Sequence, residues 1–495
     1  MTTFKTEVDV LRLDKIDPEA GNAAVTKLLE NTQGNILKSN GRNYHCHLLI
    51  KFKPDAAKAK NWLRNTVAPK IMSAADQWKD TALYTRSKQG PNNTETAAEK
   101  ALRRKGATFT TVLLSAAGYR HLGYREEQLP DDKSFRLGAD NANVIQKLAD
   151  VPVDEWHPGF QGVHALLIIA GDQDELVFAE AEKFRESLDG VGEVTGFENG
   201  NALRVDRQGQ PVAGGPPREH FGFLDGVSDP LFFKNEVDKA TKGGADKFDP
   251  SAQLGLALVE DPLASGGYGS YIVFRKLEQD VAKFRLDRDR LGKKLATAAG
   301  AIAEPLNQEF RDLADAYIMG RFPDGAPVAL RDSEDGISEE NNFDYKNDSH
   351  GMKCPFAAHV RKTNPRGDTE LLNRGITLEQ ERSRRIVRRG VTYGPHNLDP
   401  ATGQKVGLLF ICAQASIEKQ FEFMQQAWSN APDFPVKDVG IDPVIGQGPL
   451  TKQKWPKKYG DSDSGFTGLA IGDWVTLQGA AYFFAPSPLF LKNLR

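Results

Sequence analysis

Three short runs carry side chains whose types, taken together, could work on a peroxide. In CPFAAHVRKTNPR, His359 follows the small and apolar Cys354, Pro355, Phe356, Ala357 and Ala358 and is followed by Arg361, Lys362 and Arg366. A neutral imidazole in an apolar wall with cations close by suits an iron that needs an axial nitrogen, in a haem whose propionates need positive partners. In GFLDG, Asp225 sits in a glycine-rich turn among Phe221, Phe223 and Leu224, and a carboxylate in apolar surroundings has to be paired or functional. In RRIVRRGVTYG, an inward-pointing guanidinium would lower the pKa of a neighbouring carboxylate and stabilise charge developing on a peroxide oxygen. Spacing does not choose between Arg388 and Arg389.

Each residue also has a plainer reading. His359 is one of nine histidines, and a single histidine is usually structural. An isolated Asp-Gly pair is usually turn chemistry. Zinc competes with iron for His359, but Cys354 adds only a second ligand and no further pair stands at a useful spacing. His220, beside Arg218 and Glu219, reads as partly exposed, with a supporting or propionate-side role. His396 follows Gly394 and Pro395 and reads as a turn residue. His45 and His47 alternate on one strand and read as structural residues on an exposed sheet face.

Length and composition bound the rest. With 495 residues, 39% of them hydrophobic, the chain can fill the cores of two to four domains. A formal charge of −3 argues against nucleic acid or an anionic membrane surface as the main partner. The start, MTTFKTEVDVLRLDK, carries neither a signal-peptide pattern nor a twin arginine, and no run reaches the length of a membrane span. Three widely spaced cysteines, Cys46, Cys354 and Cys412, do not make a disulfide framework. A cytoplasmic protein is therefore expected.

The elements that must position the three runs can be counted. Four segments repeat one unit, a short apolar strand, a polar break and an amphipathic helix, starting at His45, His164, Gly269 and Gly407. Val177, Ala181, Phe184 and Leu188 fall at offsets of zero, four, seven and eleven, and Ile417, Phe421, Met424 and Trp428 repeat those offsets. Leu277, Val281 and Phe284 match the first three. Further strands are expected from Thr108, Gly192 and Trp474, where β-branched and aromatic residues cluster. DRDRLGKKL from Asp287 reads as a charged helix in an insertion, and the polar stretches from Ser87 and from Arg331 read as loops. Two units per half imply an α+β fold of two ferredoxin-like domains, antiparallel sheets with helices at their periphery, divided near Pro230 into 1–230 and 231–495.

In order along the chain, GFLDG, CPFAAHVRKTNPR, RRIVRRGVTYG and GLLFICAQ resemble the dye-decolorising peroxidases, in particular their larger cytoplasmic and fungal-type branch. QGNILKSNGR from Gln33 and QGAAYFFAPS from Gln478 extend the resemblance over Gln33 to Ser487. The family is built on paired ferredoxin-like domains that hold one haem b, mainly in the second. The resemblance implies His359 as axial iron ligand, Asp225 as distal acid-base residue and Arg388 as distal guanidinium. It further implies that Gly226, Arg361, Arg366 and Phe410 contact the cofactor, and that Asp473 orients the imidazole. Tyr393 is expected as a surface electron-transfer residue, with Trp428 and Trp455 less motivated. The implied partners are hydrogen peroxide and dyes, phenols or other aromatic reducing substrates, with homodimerisation left open. A haem-trafficking protein with incidental peroxidase activity is the alternative, and a non-haem enzyme with structural His359 and Asp225 the third reading.

An aspartate base has a consequence for pH, because the reference pKa of an aspartate is about 3.9 and an adjacent arginine lowers it. Dye oxidation is expected to peak at acid pH. A pH–rate profile peaking above neutrality would contradict Asp225 as the base.

Overall fold

The computed structural model describes residues 9–87, 108–206, 208–212, 214–334, 336–395 and 403–495. Most of the predicted loop from Ser87, and His396, lie outside them. In the first half, strands β1 (Tyr44–Phe52), β2 (Thr108–Leu114), β3 (Ala165–Gly171) and β4 (Gly192–Asn201) pair antiparallel in the order β4-β1-β3-β2. After the two-residue β5 (Val259–Glu260), the second half contributes β6 (Tyr268–Gln279), β7 (Val387–Arg388), β8 (Val391–Tyr393), β9 (Gly407–Gln414) and β12 (Val475–Ala485). These follow the same order, β12-β6-β9, with β7 and β8 both on β9, while β10 (Gln453–Pro456) and β11 (Phe466–Leu469) form a separate hairpin. The order is that of a ferredoxin-like sheet, made twice from the strand-helix repeats in the sequence.

The two sheets join into one. Phe484 of β12 pairs with Leu114 of β2, and on the other side β4 meets β8. There the Leu203 N–H donates to the Thr392 hydroxyl at 3.2 Å, and a Cβ on Gly200 would come within 2.3 Å of Val391. Only glycine permits that approach. The strands thereby form an α+β barrel, and β1 and β3 are buried along almost their whole length because both of their faces are covered.

Helical periodicity agrees with burial in the first half, where Val177, Ala181 and Phe184 of the helix Asp174–Ser187 are buried and Leu188 caps it. In the second half the helix starts later than Leu277. That residue stays in β6, paired with Leu408 and Leu477, and Asp280 opens the helix Val281–Ala299 by accepting the Lys283 N–H at 2.9 Å. DRDRLGKKL belongs to this same helix rather than to an insertion.

Two histidine readings are corrected. His45 and His47 are buried, with His47 edge-on to Phe274 inside the barrel, because their strand face turns inward. All three cysteines are free and buried. Among the described residues no helix is long and apolar enough to cross a membrane.

Side chains alternate along a strand, so Arg275, Leu277 and Gln279 of β6 share the face opposite Phe274, and Leu408 and Phe410 of β9 lie beside them. A cavity is built on that outer face.

Candidate active site

The cavity encloses about 260 Å3 and its wall includes His359, Asp225, Arg388 and Phe410. Four runs far apart in sequence therefore meet in one place. Phe223, Leu224, Val227, Val360, Ile386, Leu408, Phe421 and Met424 make much of the wall apolar. Such a lining excludes water and strengthens whatever electrostatics the few polar groups provide.

His359 opens the short helix His359–Thr363, and its side chain is about one-fifth exposed. Its Nδ1 lies 2.8 Å from Oδ2 of Asp442, a carboxylate with no solvent exposure. The other Asp442 oxygen accepts the backbone N–H groups of Val444 and Ile445, at 2.8 and 3.2 Å. Held in this way, the carboxylate can only accept from His359. The proton is thereby fixed on Nδ1, and Nε2 keeps its lone pair for a metal.

Asp473 does not take this role. It lies in a turn with φ of 55°, its carboxylate more than half exposed and 3.9 Å from Lys283. The partner actually found, Asp442, stands in an irregular loop 83 residues from His359 and left no periodic or motif signal.

Arg361 is likewise not a cofactor residue. It is completely buried, bonded through Nε to Asp368 at 2.6 Å and through Nη1 to Asp348 at 2.8 Å, and it packs on the rings of Tyr345 and Phe356. Asp348 in turn accepts the N–H groups of Met352, Lys353 and Cys354. The cation expected to face a propionate instead locks the segment leading into His359.

The second polar group of the wall is a shared carboxylate. Arg388 Nε donates to Asp229 at 2.9 Å, and Arg389 Nη1 donates to the other Asp229 oxygen at 3.3 Å. Arg389 is then turned away, onto the carbonyls of Asn35 and Ile36 in the QGNILKSNGR run. Arg388 is the one left in the cavity wall, 3.6 Å from Asp225. Asp229 raises the Arg388 pKa further, so the guanidinium stays charged. The Gly226 N–H, at φ of 81°, caps Asp225 Oδ1 at 2.7 Å, so this glycine serves the carboxylate and is not in the cavity wall.

Three more guanidiniums collect at the edge of the cavity. Arg321 and Arg385 line it, and Arg366 lies behind Ser228, which both Arg321 and Arg366 contact. Burial pushes the three down to about 10, 10 and 9, with a neighbouring arginine adding to the depression in each case. Nη1 of Arg385 and Nε of Arg366 are buried without a protein partner. Buried positive charge in excess of its protein acceptors fits an anionic ligand such as the propionates of haem.

Two further expectations change. Tyr393 is not at the surface: the residue is 7% exposed, and the Lys276 ammonium lies over its ring. His220 is also buried, with Nε2 3.0 Å from the Tyr393 carbonyl oxygen.

Comparison with known proteins identifies the family. Residues 31–199 match the DyP dimeric alpha+beta barrel domain, and residues 336–435 match the C-terminal domain of Dyp-type peroxidases. The multifunctional dye peroxidase DyP2 of Amycolatopsis sp. is 36% identical over 96% of this chain and 97% of its own. A DyP-type peroxidase of Anabaena sp., known from its crystal structure, superposes with a TM-score of 0.86 at 37% identity, covering 99% of this chain and 100% of that one. A deferrochelatase of Escherichia coli matches at 26% identity over 62% of this chain and 60% of its own. The chain belongs to the DyP-type peroxidases, which are haem enzymes.

If the arginine cluster holds haem carboxylates, Arg385→Leu is expected to weaken haem binding about tenfold, within the range for a hydrogen bond to a charged group. Haem transfer to a scavenging apoprotein measures it. An unchanged transfer rate would count against Arg385 as an anchor.

Proposed function

We propose that the chain binds one haem b through His359 and uses it to reduce hydrogen peroxide while oxidising dyes, phenols or other aromatic donors by one-electron steps. When bound, haem supplies the iron that takes two oxidising equivalents from peroxide and passes them on singly. The observation that carries this reading is the pairing, in the wall of one apolar cavity, of an Asp442-oriented imidazole with an aspartate beside a fixed guanidinium.

Each residue then has a distinct task. Asp442 keeps the Nδ1 proton in place and makes the imidazole a stronger electron donor. Asp225 accepts a proton from one oxygen of hydrogen peroxide and returns it to the other, directly or through water, so that the second oxygen leaves as water. Arg388, held by Asp229 and the Val227 carbonyl, is already in place when negative charge develops as the O–O bond breaks. Arg321 and Arg385, with Arg366 behind them, neutralise the propionates. Bulky dyes would deliver their electrons from outside the cavity.

The reading makes separable predictions. His359→Ala is expected to lose the Soret band. Asp225→Asn and Arg388→Leu are expected to keep it while peroxide-dependent oxidation falls by about a hundredfold or more, as for removal of a general acid-base or charge-stabilising group. Unchanged turnover in both variants with haem bound would support haem handling without peroxidase chemistry.

A further inference from the structure

Glu219 stands in the cavity wall six residues before Asp225 and has no part in the roles assigned above. Three donors converge on its carboxylate. The Phe221 N–H reaches Oε2 at 2.9 Å, the Phe223 N–H reaches Oε1 at 3.0 Å, and the Gln279 side-chain amide of β6 reaches Oε2 at 2.5 Å. The backbone doubles the clamp, since the Glu219 N–H donates to the Phe223 carbonyl at 3.1 Å and the Gly222 N–H to the Glu219 carbonyl at 2.9 Å.

The same turn is fixed on its other side. Phe221 stacks on Phe284 with ring centroids 4.4 Å apart, and Phe223 meets the same ring edge-on. Arg218 Nη1 holds the Gly222 carbonyl at 2.6 Å, and the Asp225 N–H donates to the Pro217 carbonyl at 2.9 Å. Released from Glu219, two backbone N–H groups of the turn would need new acceptors in an apolar wall.

We propose that Glu219 is a positioning residue for Asp225, its carboxylate clamping the turn from Phe221 to Phe223 onto β6 so that Asp225 is presented to the cavity beside Arg388. The inference rests on the acid-base role proposed for Asp225. It adds a group that acts through the geometry of Asp225 rather than by exchanging the proton itself.

The clamp has two protonation states. Burial pushes the Glu219 carboxyl up to about 7, the nearby Asp225 charge adds to the rise, and the three donors oppose it. Above that pH the charged carboxylate accepts all three hydrogen bonds. Below it, one oxygen carries a proton and becomes a donor. Gln279 Oε1, buried without a protein partner, is the acceptor such a proton would reach once the amide turns. The charged groups on the turn itself are Asp225 and Arg218, whose guanidinium donates to the Val205, Gly222 and Pro323 carbonyls, while β6 offers the neutral Gln279 and the following helix the apolar Phe284. Of the other groups of the wall, Arg275 is paired with Asp150, Arg388 with Asp229 and His359 Nδ1 with Asp442, Arg321 donates to Ser228 and Asn341, and Arg385 donates to the Arg382 and Ser251 carbonyls.

Stopped-flow measurement of peroxide reacting with the holoenzyme, across pH, tests the clamp in Glu219→Gln, Gln279→Leu and Asp225→Asn. Glu219→Gln is expected to keep the Soret band, to react roughly tenfold to a hundredfold more slowly, and to lose an inflection near neutrality. Gln279→Leu removes a donor to the charged form, so its inflection is expected to move to higher pH. A wild-type rate and inflection in Glu219→Gln would overturn the proposal. If that variant does not retain haem, an inflection left in place by Gln279→Leu would overturn it instead. A full rate in Asp225→Asn would overturn the underlying acid-base reading, whereas loss in Asp225→Asn with none in Glu219→Gln would overturn the clamp alone.

Discussion

The hydrogen bond between His359 Nδ1 and the buried carboxylate of Asp442 decides which face of the imidazole the cavity receives. An unpartnered histidine could turn its ring or move its proton between nitrogens, and either change would remove the lone pair from a metal. Asp442 prevents both because one of its oxygens is committed to the Val444 and Ile445 amides, which leaves the other fixed toward His359 Nδ1. The surrounding structure serves the same constraint. Arg361, between Asp348 and Asp368, pins the chain before and after His359, and the Lys362 ammonium reaches the carbonyls of Trp428 and Ala431.

Charge is distributed with equal economy around the rest of the cavity. Asp229 takes both arginines of the RRG run but leaves only Arg388 in the wall, so one carboxylate selects the guanidinium that the cavity receives. Arg321, Arg366 and Arg385 carry a surplus of positive charge that burial makes costly in the protein alone. A dianionic cofactor removes that cost. Haem binding and protein stability are therefore expected to be coupled.

Much of this was legible in the chain itself, and the reasons for the remainder are physical. Helical offsets and β-branched runs report burial of one face, which is why β2, β4 and the helix Asp174–Ser187 were readable from Thr108, Gly192 and Val177. The same rule misread His45 and His47, since the inward face of a closed barrel has no counterpart in a one-strand pattern. His359, Asp225 and Arg388 stood out through the motifs around them. Asp442 did not, because a carboxylate in an irregular loop is defined by what it meets in space. Arg361 and Asp473 were misassigned for the complementary reason: proximity in sequence to His359, or to a familiar strand, says nothing about which partner a charge finds. Asp229 was closest to being found, four residues beyond Asp225 in the same turn.

Resonance Raman spectroscopy of the ferrous holoprotein tests the central claim most directly, through the iron–imidazole stretching frequency. With Asp442 as the partner that makes His359 a strong donor, Asp442→Asn should lower that frequency while Asp473→Asn leaves it unchanged. A frequency insensitive to Asp442→Asn, or one that moves with Asp473→Asn instead, would contradict the account.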